Sequence, residues 1–172
     1  MTSSASNPPR AGEPSKNIAL VLPPNVCIAT VVTQNAIDAM LEAGGKGSYR
    51  DAHPWLIAQE ILRTRQPLPI LFAVQGDAPM HFSHWSMIKD IDVVELHRGQ
   101  WESRCHFDVL QPINMIWEAI DSVFLLPGQV QLERELREDI RVRRAALDEH
   151  SIHPYAVCET PPFIEAALKD LQ

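Results

Sequence analysis

His81 and His84 stand three residues apart, enclosing Phe82 and Ser83 and leading into Trp85. An imidazole offers a hydrogen-bond donor and an acceptor, and an indole offers a flat face. The run His81-Phe-Ser-His-Trp85 therefore holds the parts of a pocket for a planar ligand. The plainer reading is a strand whose Phe82 and Trp85 enter the core while the histidines stay wet. Ser83 beside His84 also pairs a hydroxyl with a base. Cys158, in the loop-like run His153-Pro-Tyr-Ala-Val-Cys158, is the thiol the sequence leaves most accessible. A working nucleophile needs a base in space and usually a third, orienting group. His84, Ser83 and Cys158 are thus candidates for a hydrolytic centre, with a non-catalytic role favoured.

Metal and phosphate chemistry find less support. His81 and His84 could join Cys105, His106, His153 or Cys158 around an ion, but Cys105 and His106 are neighbours that a strand points to opposite faces. No CxxC, HExxH or HxE pattern is present, so neither a metal site nor a cofactor is expected. Gly44-Gly45-Lys46-Gly47-Ser48 follows a helix instead of joining strand to helix, so it reads as a flexible loop and not as a phosphate cradle. Arg50, Arg63 and Arg65 form a modest local basic excess that suits either a nucleic-acid backbone or plain solvation. Of the four tryptophans, Trp101 falls on a buried parity, leaving Trp55 and Trp85 as rings on which a base could stack.

Several elements must position these groups. Ile18–Leu22 and Val26–Val32 read as short β-branched strands. Thr33 then caps a helix with Ile37, Met40 and Leu41 on one face, ended by Gly44-Gly45. His53-Pro54 starts a second helix with Pro at its first position and Trp55, Ala58, Ile61 and Leu62 apolar. Leu68–Val74 is a strand with a turn after it. Phe82–Leu96 keeps no single parity, and a bulge near Lys89-Asp90 reconciles it. Trp101, Cys105, Phe107 and Val109 alternate with Glu102, Arg104, His106 and Asp108, a strand with one dry and one wet face. His97–Gln100 turns the chain between the two, giving an antiparallel hairpin. A further strand fits Ile120–Leu126, helices fit Gln131–His150 and Pro162–Leu171. The order excludes regular β–α alternation and favours an α+β fold: a small, mainly antiparallel curled sheet or half-open β-barrel with helices at its rim.

Composition bounds the rest. The chain has 172 residues, with 15 Lys and Arg against 22 Asp and Glu, net −7. That balance argues against coating nucleic acid by charge, though not against a site for one base. Residues 1–17, rich in Ser and Pro, are expected to be a disordered tail, and 18–172 a single domain. Three scattered cysteines make no disulfide framework. No apolar run approaches the length of a membrane span, so a soluble, cytoplasmic protein without a membrane partner is expected.

The stretch LPILFAVQGDAPMHFSHWSMIKDIDVVEL resembles the central hairpin of the PUA-like superfamily, which includes EVE, ASCH and YTH domains. There a strand like Leu68–Val74 leads through a turn to a second that often reads F-x-G-x-A-x-I. The likeness covers about residues 66–113 and departs where His84, Trp85 and Ser86 replace the small residues. The resemblance implies a PUA-like barrel that binds RNA or modified bases through an aromatic-lined cleft, with Ser83, His84 and Trp85 nearest the ligand. Trp55 and Arg50, from the preceding segment, complete the expected ligand set. The leading expectation is a module recognising a nucleic-acid base, modified or not, or a nucleotide, with RNA or single-stranded or modified DNA as partner. The alternatives are a small hydrolase acting on RNA or a modified nucleoside, and a protein-interaction or regulatory module docking through Leu132, Leu136 and Ile140.

Overall fold

The computed structural model describes residue 22, residues 24–44, 47–75, 82–113, 123–125, 143–145, residue 152 and residues 154–170, with backbone alone for 123–125 and 143–145. Strand β1 (Val26–Val32) is followed by helix α1 (Gln34–Glu42), β2 (Gly47–Asp51) and α2 (Leu56–Thr64). Then come β3 (Pro69–Val74), the long β4 (Phe82–His97), β5 (Gln100–Phe107) and the short β6 (Gln111–Pro112). Strands β7 (Val123–Leu125), β8 (Arg143–Ala145) and β9 (Ala156–Glu159) and helix α3 (Pro162–Asp170) complete the order.

The strands form one sheet in the order β2-β5-β4-β3-β1-β9-β7-β8, with β6 added beside β4. Among the described residues, only β1 and β3 run parallel; the other pairs are antiparallel, and the ends of the path do not meet. The fold is therefore α+β with an open, mainly antiparallel curled sheet, as the sequence implies.

Every residue of β1 and β3 is buried, because the sheet is covered on both faces. On one face Ile28, Ile70 and Phe72 pack with Ile37 and Met40 of α1 and Ile57, Ala58 and Ile61 of α2. On the other, Ala29, Leu71 and Trp85 pack with Ile164 of α3. Strand β4 serves two regions: its first half pairs with β3, its second with β5. Lys89 is an extra residue between the pairs Ile88↔Phe107 and Asp90↔His106, so the anticipated bulge exists. It lets Ile88 and Ile91, three apart, enter the same core. A second bulge at Ser83 separates Phe72↔His84 from Ala73↔Phe82. The β4–β5 hairpin closes through Arg98 and Gly99, where Gly99 takes φ +73.

Other expectations need correction. Thr33 caps α1 and accepts from Ala36 N–H at 3.1 Å, but Leu41 is 45% exposed because Ile37 and Met40 already cover the sheet. Helix α2 begins at Leu56, with Trp55 instead of Pro54 at its threshold, since Ser103 captures the Trp55 N–H. The glycine-rich "loop" yields strand β2 from Gly47 onward, held by β5. Strand β5 ends at Phe107, which leaves Val109 exposed, and Trp101 is only half-buried. Arg143–Ala145 form β8 and do not continue a helix. The rest of the Gln131–His150 helix, its Leu132, Leu136 and Ile140 stripe, the 1–17 tail, most of Ile18–Leu22, Lys46, His81, Trp117 and His153 lie outside the described residues. Among the described residues, no helix is long and apolar enough to cross a membrane.

Candidate functional site

Alternation along β4 decides where its polar-aromatic run points. Trp85 pairs with Leu71 and His84 with Phe72, which belong to opposite cores. Trp85 is 8% exposed and packed among Phe82, Leu71 and α3. It cannot offer a face to a ligand shared with His84. Ser83 Oγ lies 2.9 Å from His84 Nδ1, and burial pushes the His84 pKa below its ordinary value. Cys158 is not in a loop. It lies in β9 opposite Cys27, in the core beside α3, and burial holds its thiol well above the ordinary cysteine range. That core is on the other side of the sheet from His84, so no nucleophile–base pair forms between them.

Strand β2 and the start of α2 instead gather an ordered polar and aromatic group. The Asp51 carboxylate is contacted by His53 Nδ1 at 3.1 Å and accepts the Trp55 indole N–H at 2.8 Å. Ser103, across β5, accepts the Trp55 backbone N–H at 2.9 Å and donates to the His53 carbonyl. These bonds fix the turn Asp51–Trp55. Tyr155, from just before β9, accepts the Ala58 N–H at 3.1 Å and so satisfies one of the first-turn donors of α2. Its ring centroid lies 4.7 Å from that of Trp55.

Trp55 is 1% exposed, so it too is closed to a stacking ligand. Its ring is the second row of an aromatic series. Tyr49 lies 5.9 Å from Trp55 and 6.4 Å from Phe72, and Phe72 lies 5.3 Å from Phe107. Tyr49 is the partly exposed member. Burial, then the nearby Asp51 charge, pushes its hydroxyl up to about 12, so it stays a neutral phenol at physiological pH.

Tyr49 lines a groove of about 530 Å³ between β2 and α1. The helix side is Ala36, Ala39, Met40 and Ala43; the strand side is Gly47, Ser48, Tyr49 and Arg50. Three alanines leave a smooth wall facing an aromatic one, which suits a flat guest. Arg50, expected from sequence, is at this rim, 64% exposed and 3.8 Å from Glu102. Arg104 pairs opposite it on β5. Of the expected ligand residues, Arg50 lines this groove, and Trp55 lies one layer behind it. Tyr49 was missed because its strand hides in a run of weak strand formers.

Chemically, Asp51 can hold the His53 ring with Nε2 turned away from it, as in a carboxylate-oriented base. Among the described residues, His53 Nε2 has no hydrogen-bond partner. A separate group, Asp90, Asp92 and His106, converges on the outer face of β4 and β5. No family model matches the chain, and no curated protein or solved structure is similar to it.

Proposed function

We propose that this protein is a binding module that takes a nucleic-acid base or nucleotide into the groove between α1 and β2. The observation that carries the reading is the groove itself, with Tyr49 on one wall, alanines on the other and Arg50 at the rim. Its volume falls in the range of small-molecule sites, which are largely apolar with a few placed polar groups. A base slides between Tyr49 and the alanine face, and Arg50, on the opposite face of the edge strand β2, meets a phosphate that projects past that edge. A rigid backing of Trp55 and Phe72 lets Tyr49 stack without reordering. Net charge of −7 fits recognition of one nucleotide better than of a long backbone. The resemblance of residues 66–113 to the PUA-like hairpin agrees with base recognition, although the residues now assigned come from the segment before it.

The test is a titration with nucleoside monophosphates and short single strands, with and without base modification, read by tryptophan fluorescence at low salt. Tyr49→Ala is expected to weaken binding by roughly 5- to 150-fold, the equivalent of about 1–3 kcal/mol per stacked base. Ala39→Phe, on the exposed helix surface, fills the groove without disturbing the core and is expected to abolish binding. Arg50→Ala is expected to flatten the salt dependence. Saturable binding untouched by Ala39→Phe places the ligand elsewhere and overturns this assignment.

A further inference from the structure

The outer face of β4 and β5 brings together three side chains, Asp90, Asp92 and His106, of types that can hold a metal ion. Asp90 and Asp92 are two apart on one strand and so share a face. His106 is the direct cross-strand partner of Asp90. One ligand atom from each lies within 4.8 Å of the other two. His106 Nε2 is 3.4 Å from Asp92 Oδ2. Two donors about 2.0–2.2 Å from one tetrahedral ion stand roughly 3.3 Å apart, so this pair already has the needed separation.

The bulge creates this arrangement. In an unbroken ladder Lys89 would pair with His106, and Asp90 would face Cys105 in the core. The extra residue moves the register by one and sets Asp90 against His106. Lys89 turns to Asp108, 3.8 Å away, and does not neutralise the pair. Arg104 is registered opposite Asp92, but no ion pair joins them. Two exposed carboxylates are thereby held close together beside an imidazole, with solvent open on the remaining side.

We infer that Asp90, Asp92 and His106 bind a divalent first-row cation of the zinc or manganese class. An imidazole beside two carboxylates suits these ions, whereas Mg²⁺ prefers an all-oxygen, octahedral shell. Three protein ligands leave further positions for water or an anionic ligand. This site is independent of the groove occupant, and its test requires none.

The test is calorimetric titration of tag-free, chelator-stripped protein with Zn²⁺, Mn²⁺ and Mg²⁺. One equivalent of Zn²⁺ is expected to bind, Mn²⁺ more weakly, and Mg²⁺ much more weakly than either. Asp92→Asn and His106→Gln are each expected to weaken Zn²⁺ binding at least tenfold. Glu95→Gln, an exposed carboxylate change on the same strand, is expected to leave it unchanged. All three changes are on the surface, and matching circular dichroism confirms folding. A 100-fold excess of Zn²⁺ over its Kd is expected to raise Tm by about 5–10 °C in the wild type. No saturable Zn²⁺ binding, binding unaffected by both ligand substitutions, or equal affinity for Mg²⁺ overturns the inference.

Discussion

Ser103 shows how much one hydroxyl can organise. It is 1% exposed and joins two backbone groups of the Asp51–Trp55 turn, accepting from one and donating to the other. Ser103→Ala leaves a buried N–H and a partly buried C=O without that partner, at a cost of about 1–3 kcal/mol. Urea unfolding checks this; a loss under about 0.5 kcal/mol would show that water takes over both bonds. At this scale the sequence was a poor guide. Asp51, His53 and Trp55 are close in the chain, but Ser103 and Tyr155 reach them from far away, and nothing local announces the meeting. Trp55 and Trp85 looked equally suited to stacking, yet both serve as core, because strand and helix orientation depends on partners that single residues do not reveal. Cys158 looked exposed for the same reason: Pro154 and Pro161–Pro162 suggest a loop, while the short strand between them is held by β1 and β7.

Local rules did better for the elements. The Thr33 cap, the alternating β5, the β4–β5 turn and the Lys89 bulge were all readable, since each rests on contacts near in sequence or on parity. Strand β2 was not, because Gly47, Ser48 and Arg50 have little strand preference and only pairing with β5 makes them one. The metal triad was half readable: Asp90 and Asp92 share a strand face, but His106 joins them only through the shifted register. Gly99 gives a clean test of turn chemistry. Its φ of +73 suits glycine, and a Cβ there meets nothing within 4 Å. Gly99→Ala therefore has only the backbone penalty, about 1 kcal/mol. Gly47→Ala, with ordinary contact to the Phe107 ring at 3.7 Å and no positive φ, is expected to cost less in the same thermal-melt comparison.

The molecule as a whole buries weak acids in their neutral forms, and this sets its response to alkali. Burial pushes the Cys105 thiol from an ordinary 9.0 up to about 12 and the Tyr49 phenol from 10.0 up to about 12. Tyr155 and Cys158 move in the same direction, again chiefly by burial. A raised pKa means that the unfolded chain releases its proton first. The stability these groups lend is full below about pH 9 and is lost as pH climbs toward about 12. Tm is expected to fall steadily between about pH 9 and 12, with tyrosinate absorbance rising only as the protein unfolds; a flat Tm would refute the assignment.

The double cover over β1 and β3 has a consequence for what the chain can become. An ordinary sheet strand has a dry side under constraint and a wet side at liberty, whereas these two strands have no liberty at all. Drift is channelled outward, to β2 and the solvent side of β4 and β5, where Tyr49, Arg50, Asp90, Asp92 and His106 happen to reside. Such a scaffold can change its outer residues while its keel stays untouched.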